Sequence, residues 1–271
     1  MPVRLDQALV ARGLARSRTH AATLIAEGKV SSGGHVLAKA SLQVDDSRDL
    51  AVEHDDQDSY ASRAGHKLAG ALDAFPQVSV AGKRCLDAGA STGGFTDVLL
   101  RRGAAHVVAV DVGHGQLVPH LRDDPRVDVH EGMNVRYMAP EDIGGPAALT
   151  VADLSFISLT LVVQPLAGCT EPGGDLVLMV KPQFEIGKDR LGRTGVVNSE
   201  RERRMAVEKV ARAAFDAGLD LCGLAASPLP GQDGNVEYFL WIKRRISKDL
   251  PKIEEREAAA AALLGQIWPN H

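Results

Sequence analysis

Residues 85–97 read CLDAGASTGGFTD: an apolar run that ends in an acid, a turn of small residues and glycines, then the start of an amphipathic stretch. A strand entering a glycine turn and then a helix is half of a βαβ unit, and from residue 62 onward the pattern repeats. The spacing of apolar residues predicts helices over 64–75, 93–102, 115–121, 157–168 and 199–217. Strands are expected over 84–87, 106–111, 126–130, 149–153, 174–180, 219–226 and 236–243. Such alternation implies an α/β fold with a mostly parallel sheet of seven strands, covered on both faces, whose ligand lies at the carboxyl ends of the strands. The chain of 271 residues exceeds what this domain needs, so a small extra module is expected.

The turn itself restricts the ligand. Gly89, Gly93 and Gly94 give G-x-x-x-G-G, not the G-x-G-x-x-G of dinucleotide folds. A pyrophosphate needs exposed amides at a helix N-terminus. Here the strand ends in Asp87, which repels an anion and favours a cation. S-adenosylmethionine carries an ammonium and a sulfonium and has no phosphate. The small residues Ala88, Gly89, Ala90, Ser91 and Thr92 let the backbone pass close to it, and Asp111, ending the next strand, is placed to accept both ribose hydroxyls of an adenosine. The candidate cofactor set is Asp87, Gly89, Ala90, Ser91, Thr92, Gly93, Gly94, Asp111, Val112, Asn134 and Phe156. A nicotinamide-linked dehydrogenase is the alternative in the same fold, and Asp87 and the missing glycine pattern disfavour it.

Four charged residues fall where a reacting centre would lie: Lys67 ahead of the first strand, Asp153 ending the fourth, Lys181 ending the fifth and Glu237 in the seventh. Charges embedded in apolar strands, as in DLVLMVK and NVEYFLW, cost free energy unless they are paired or used. Phe156 and Phe184 flank them and could meet adenine or an extruded nucleotide.

The N-terminal segment has a different character. Net charge over the whole chain is −4, yet residues 1–40 carry an excess of basic residues and residues 41–60 reverse it. One helix is expected to end near Gly13, and a second to run from Ser17 as N-cap to Gly28. Short strands follow near Val30, near Val36 and over residues 50–52. The acidic stretch ending EHDDQDSYAS reads as a linker, which puts a basic domain at 1–59 and the α/β domain at 60–271. Cys85, Cys169 and Cys222 are far apart and without C-x-x-C spacing, so buried thiols are expected and neither disulfide nor metal site is. No secretory signal or spanning segment is visible, and a cytoplasmic protein is expected.

Arg4-Leu5-Asp6, Ser17-Arg18, Ala22, Ile25, Gly28 and Val30 resemble the α-L RNA-binding motif, except that Ser31-Ser32-Gly33-Gly34 replaces its usual final turn. That resemblance implies RNA contact through Arg4, Arg16, Arg18 and Lys29. In order, Lys67, Asp153, Lys181 and Glu237 resemble the K-D-K-E tetrad of FtsJ-related ribose 2′-O-methyltransferases. With SRAGHKL, LDAGASTGGFTDVLL, VADLSFISL, VKPQFE and PLPGQDGNVEYFLW, nearly the whole chain is similar to the TlyA, or hemolysin A-type, RNA methyltransferases. Ala64-Gly65 invert the family's usual Gly-Ala pair. The resemblance implies a class I (Rossmann-like) methyltransferase domain using S-adenosyl-L-methionine and no metal, ribosomal RNA or ribosomal subunits as partner, cytidine as the nucleotide and no membrane partner. A monomer is expected. Lys181 would orient and deprotonate the 2′-hydroxyl, with Lys67 as the neighbouring cation and Asp153 and Glu237 holding the two lysines. Arg63, His66 and Arg136, and Lys188 and Arg193 in the loop EIGKDRLGRTG, are further candidate RNA contacts. A binding-only protein with a vestigial transferase domain is the reading from another class, and the intact tetrad argues against it. A membrane-active hemolysin is the other, disfavoured by the lack of a spanning segment.

Overall fold

The computed structural model describes residues 2–15, 18–45, 47–52, 60–187, 191–192, 194–246 and 253–268. The chain divides into two compact units, residues 1–59 and 60–271. Arg16, Lys188 and Arg193, and the N-cap expected at Ser17, lie outside the described residues.

In the first unit, strand β1 (Val3–Arg4) leads into helices α1 (Leu5–Ala11) and α2 (Arg18–Ala26), followed by β2 (Val30–Ser32), β3 (His35–Val36), β4 (Gln43–Val44) and β5 (Ala51–Val52). Leu5, Leu9, Ala21, Ile25 and Val30 form its own core. β2 and β3 pair antiparallel across Gly33-Gly34, both with positive φ, a two-residue hairpin turn that a glycine pair makes without strain. The altered final turn therefore still closes the hairpin. The acidic stretch is not all linker, because β4 pairs with β1 and β5 with β2.

The second unit runs α3 (Ala64–Ala74), β6 (Arg84–Ala88), α4 (Gly94–Arg101), β7 (His106–Asp111), α5 (Pro119–Arg122), β8 (Val127–Glu131), β9 (Ala147–Ala152), α6 (Val163–Gly168), β10 (Thr170–Val180), α7 (Pro182–Glu185), α8 (Glu200–Asp216), β11 (Leu219–Ala226), β12 (Tyr238–Arg244) and α9 (Ile253–Leu264). One seven-stranded sheet has the order β11-β12-β10-β9-β6-β7-β8. β12 pairs antiparallel with both neighbours, and the β10, β9, β6, β7 and β8 pairings are parallel. Both faces are covered, which is why the central strands are apolar throughout. Alternate residues divide between them: Leu176 and Leu178 join Leu166, Val207, Val210 and Leu263 on one face. Val177 and Met179 join Leu68, Leu72, Phe95 and Leu99 on the other.

Three expectations need correction. The helix over 157–168 is a 3-10 turn at Leu159–Leu161 and then the short α6, with Ser158 capping the turn. The helix over 115–121 shrinks to α5, which starts at Pro119 after a glycine-rich loop. Cys85 and Cys169 are buried, but Cys222 is only half-buried on β11. Among the described residues no helix is long and apolar enough to cross a membrane, and no cluster of metal-ligating side chains occurs.

Candidate functional site

The carboxyl ends of β6 and β9 lie side by side where the strand order reverses, the place at which open α/β sheets bind ligands. Gly89 follows β6 with φ of 89°, and a side chain there would stand 2.5 Å from the Asp153 carbonyl. Only glycine allows that approach. A cleft of about 490 Å³ opens here, lined by Gly89, Ser91, Asp111, Val112, Asn134, Asp153 and Phe156, and by Gln116, Met133, Leu154, Ser155 and Ile157. A smaller hollow of about 150 Å³ adjoins it, lined by Ser62, Ala64, Ala90, Thr92, Gly94 and Lys181 and sharing Gly89, Ser91, Asp153 and Ser155 with the cleft.

The Asp111 carboxylate is fixed by two backbone donors, the Ser91 amide at 2.8 Å and the Gly113 amide at 2.7 Å. Each oxygen keeps a lone pair for a ligand hydroxyl. Asn134 accepts from the Arg136 amide at 3.0 Å and caps the turn beside the cleft. Asp87 and Gly93 line neither hollow. Gly93, with φ of 99°, is the N-cap of α4, and its bare face packs on Leu117 and Leu121. Asp87 is fully buried: Thr96 donates to one oxygen at 2.6 Å, and the other has no hydrogen-bond partner among the described residues. Burial pushes its carboxyl up to about 7; the Thr96 hydrogen bond opposes this, and the Asp153 and Asp111 charges reinforce it.

The four charged residues form two separate lysine–carboxylate pairs, of which Lys181 and Asp153 line the smaller hollow while Lys67 and Glu237 line neither. Lys67, on α3, and Glu237 are both buried and lie 2.6 Å apart. Gly231 leaves room for this carboxylate, since a side chain there would meet the Glu237 oxygen at 2.7 Å. Lys181 lies 2.6 Å from Asp153 and donates to the Ser155 hydroxyl at 2.9 Å. Asp153, Lys181 and Glu237 each stand one residue outside their strands, at the edge of the sheet and not within it. Because β12 is antiparallel, its first residue, Tyr238, pairs with Val180, the last of β10. That register puts Glu237 at the lysine-bearing end of the sheet.

Ser91 (φ 48°) and Phe156 (φ 64°) are the only non-glycine residues with positive φ among the described residues, and both line the cleft. Left-handed backbone at such residues costs about 1–3 kcal/mol and collects at functional sites. Phe156 is 91% exposed, and its ring centroid is 5.3 Å from that of Phe184. Gly65 has a packing reason: any side chain there would collide with Tyr60. Ser155 and Gln116 escaped the sequence reading. Their one signal was position, in loops that follow strands carrying candidate acids.

The candidate RNA contacts are spread over both units. Arg4 and Arg18 both bind Asp6, at 3.0 Å each, and Lys29 pairs with Glu27 at 3.2 Å. Arg63 donates to the Pro230 carbonyl at 2.9 Å. His66 meets the Tyr60 ring edge-on, and the exposed Arg136 lies over Tyr137. Around the larger cleft stand two carboxylates, Asp111 and Asp153, and, among the described residues, no lysine, arginine or histidine. This lining suits a ligand with ribose hydroxyls and positive charge, and would repel a pyrophosphate.

The FtsJ-like methyltransferase family matches residues 60–244, and the S4 domain matches residues 3–50. A solved S-adenosylmethionine-dependent methyltransferase from Mesorhizobium loti shares the fold, with a TM-score of 0.50 at 16% identity over 65% of this chain and 96% of that one. Fold and site together define a Rossmann-like methyltransferase. The chain is 54% identical to the 16S/23S rRNA (cytidine-2′-O)-methyltransferase TlyA of Mycobacterium tuberculosis, over 91% of this chain and 92% of the relative. A solved structure from Streptococcus thermophilus, provisionally described as a hemolysin, is 36% identical and covers 99% of this chain and 98% of that one, with a TM-score of 0.72. The chain belongs to the TlyA family, in which an S4 domain precedes an FtsJ-like methyltransferase domain.

Proposed function

We propose that this chain transfers a methyl group from S-adenosylmethionine to a ribose 2′-hydroxyl of ribosomal RNA, at cytidine as the name of the mycobacterial relative records for that protein. The observation that carries the reading is the pairing of Lys67 with Glu237 and of Lys181 with Asp153 at the carboxyl edge of the sheet, with Lys181 and Asp153 lining the smaller hollow. When bound, S-adenosylmethionine supplies an electrophilic methyl group on a sulfonium and leaves as S-adenosylhomocysteine. Asp111 would accept the hydroxyls of its ribose, with Asn134, Val112 and Phe156 around the base. Ala90, Thr92 and Gly94 would border the rest in the smaller hollow. Asp87 would support the turn from beneath through its hydrogen bond with Thr96, its carboxyl keeping a proton until pH rises to about 7.

A ribose hydroxyl attacks only when aligned and relieved of its proton. Lys181 in its amine form orients the hydroxyl and takes that proton; Asp153 then pairs with the ammonium that results. Lys67, held by Glu237, lends positive charge beside the developing oxyanion. Arg4, Arg18 and Lys29 contact the RNA backbone, with Arg63, His66 and Arg136 on the methyltransferase unit as further contacts. Such a protein works as a monomer in the cytoplasm, where ribosomal subunits are.

The test is incubation with labelled S-adenosylmethionine and separate ribosomal subunits, followed by mapping of 2′-O-methylated positions. Label is expected in ribose at a cytidine. Lys181→Ala should abolish transfer and leave cofactor affinity within a few fold; retained turnover would sink the assignment of Lys181, and no label in either subunit would sink the function.

A further inference from the structure

Glu185 is 3% exposed and carries a carboxylate that the chemistry above does not use. One oxygen accepts from the Leu159 amide at 2.7 Å and the other from the Ser158 hydroxyl at 2.5 Å. Burial makes this carboxyl harder to ionise, and the two hydrogen bonds oppose that. An acid removed from water destabilises a fold unless its partners compensate, so both oxygens bound to one loop mark a specific attachment. Lys209 adds a third hold on the same residue, donating to the Glu185 carbonyl at 2.8 Å.

What the attachment joins is informative. The loop after β9 carries Asp153, Ser155, Phe156 and Ser158 in order; the segment after β10 carries Lys181, Phe184 and Glu185 in order. The two are linked residue by residue: Lys181 to Asp153 and Ser155, Phe184 to Phe156, Glu185 to Ser158 and Leu159. Phe156 sits between the first link and the last, in a left-handed backbone conformation that its surroundings must impose.

We propose that Glu185 is a positioning residue for methyl transfer. By fastening residues 158–159 to α7, it holds the Asp153 carboxylate in register with Lys181. This rests on the role assigned to Lys181 above. Glu185 touches neither reactant and acts through the two segments it joins.

The experiment uses the full chain with ribosomal subunits and compares single-turnover methyl transfer by wild type, Glu185→Gln, Ser158→Ala, the double variant and Lys181→Ala, well below each melting temperature. Glutamine keeps an acceptor for the Leu159 amide but turns a donor toward Ser158. Glu185→Gln and Ser158→Ala should each slow transfer roughly ten- to a hundredfold while cofactor affinity changes by no more than a few fold, as expected when reacting groups are displaced by a fraction of an ångström to an ångström. The double variant should be no slower than the slower single one, because both disturb the same Glu185–Ser158 contact. A folded Glu185→Gln with the wild-type rate, or losses that simply multiply, overturns the proposal. Should Glu185→Gln not fold, Ser158→Ala decides: a wild-type rate overturns it. Turnover by Lys181→Ala brings down the chemical reading instead, whereas an inactive Lys181→Ala beside a full-rate Glu185→Gln removes Glu185 alone.

Discussion

Asp87 shows how one residue type can be legible and its environment hidden. An acid ahead of the glycine turn is plain in LDAGAS, but a contact with ligand was expected and a fully buried carboxylate is found, bound to Thr96 below the floor of the cleft. Its carboxyl is raised to about 7, chiefly by burial, against about 3.9 in an unfolded chain. Between those values the unfolded state has lost the proton that the folded state retains. Stability from this group is therefore fully present below about pH 4, falls as pH rises toward 7 and levels off above it. Thermal melts of the cofactor-free protein should show this decline, and Asp87→Asn, which cannot ionise, should flatten it between pH 5 and 7.5. An unchanged slope in that variant would assign the pH dependence elsewhere.

At the scale of elements, the helices and strands that carry the cleft follow from apolar spacing, whereas the loops that finish it do not. Asn235 is the clearest case. It is 1% exposed, accepts from the Val197 amide at 2.9 Å and donates to the Gly195 carbonyl at 3.1 Å. It thereby fastens the end of the loop before α8 to the turn that leads into Glu237. Asn235→Ala leaves the buried Val197 amide without that partner, which should cost about 1–3 kcal/mol. In a chain of this size each kcal/mol lowers the melting temperature by roughly 2–4 °C, which calorimetry would resolve. A melting temperature equal to that of wild type would mean that the loop is held by other contacts. Helix lengths were legible where apolar periodicity ran uninterrupted, as in α8, and not where Pro165 or Pro119 interrupted it.

The whole molecule joins a unit that carries Arg4, Arg12, Arg18 and Arg48 to a methyltransferase unit with its own two-faced core. If the first supplies phosphate contacts, Arg4→Ala and Arg18→Ala should each weaken binding to ribosomal subunits and reduce its salt dependence by about one charge, without changing cofactor affinity. Binding measured across a salt series checks this; an unchanged slope would remove those arginines from the interface. By itself, the sequence determined the alternation of strand and helix, the glycine turn, the two units and the residue types of the tetrad, because each is a local pattern of spacing or composition. Only the tertiary structure decided which lysine meets which acid. Lys67 and Glu237 are 170 positions apart, and their contact depends on β12 running antiparallel, so that its first residues lie beside the last of β10. Periodicity along one strand shows which face is buried; it carries no information on strand direction or neighbour, and these are settled by which faces can be covered together.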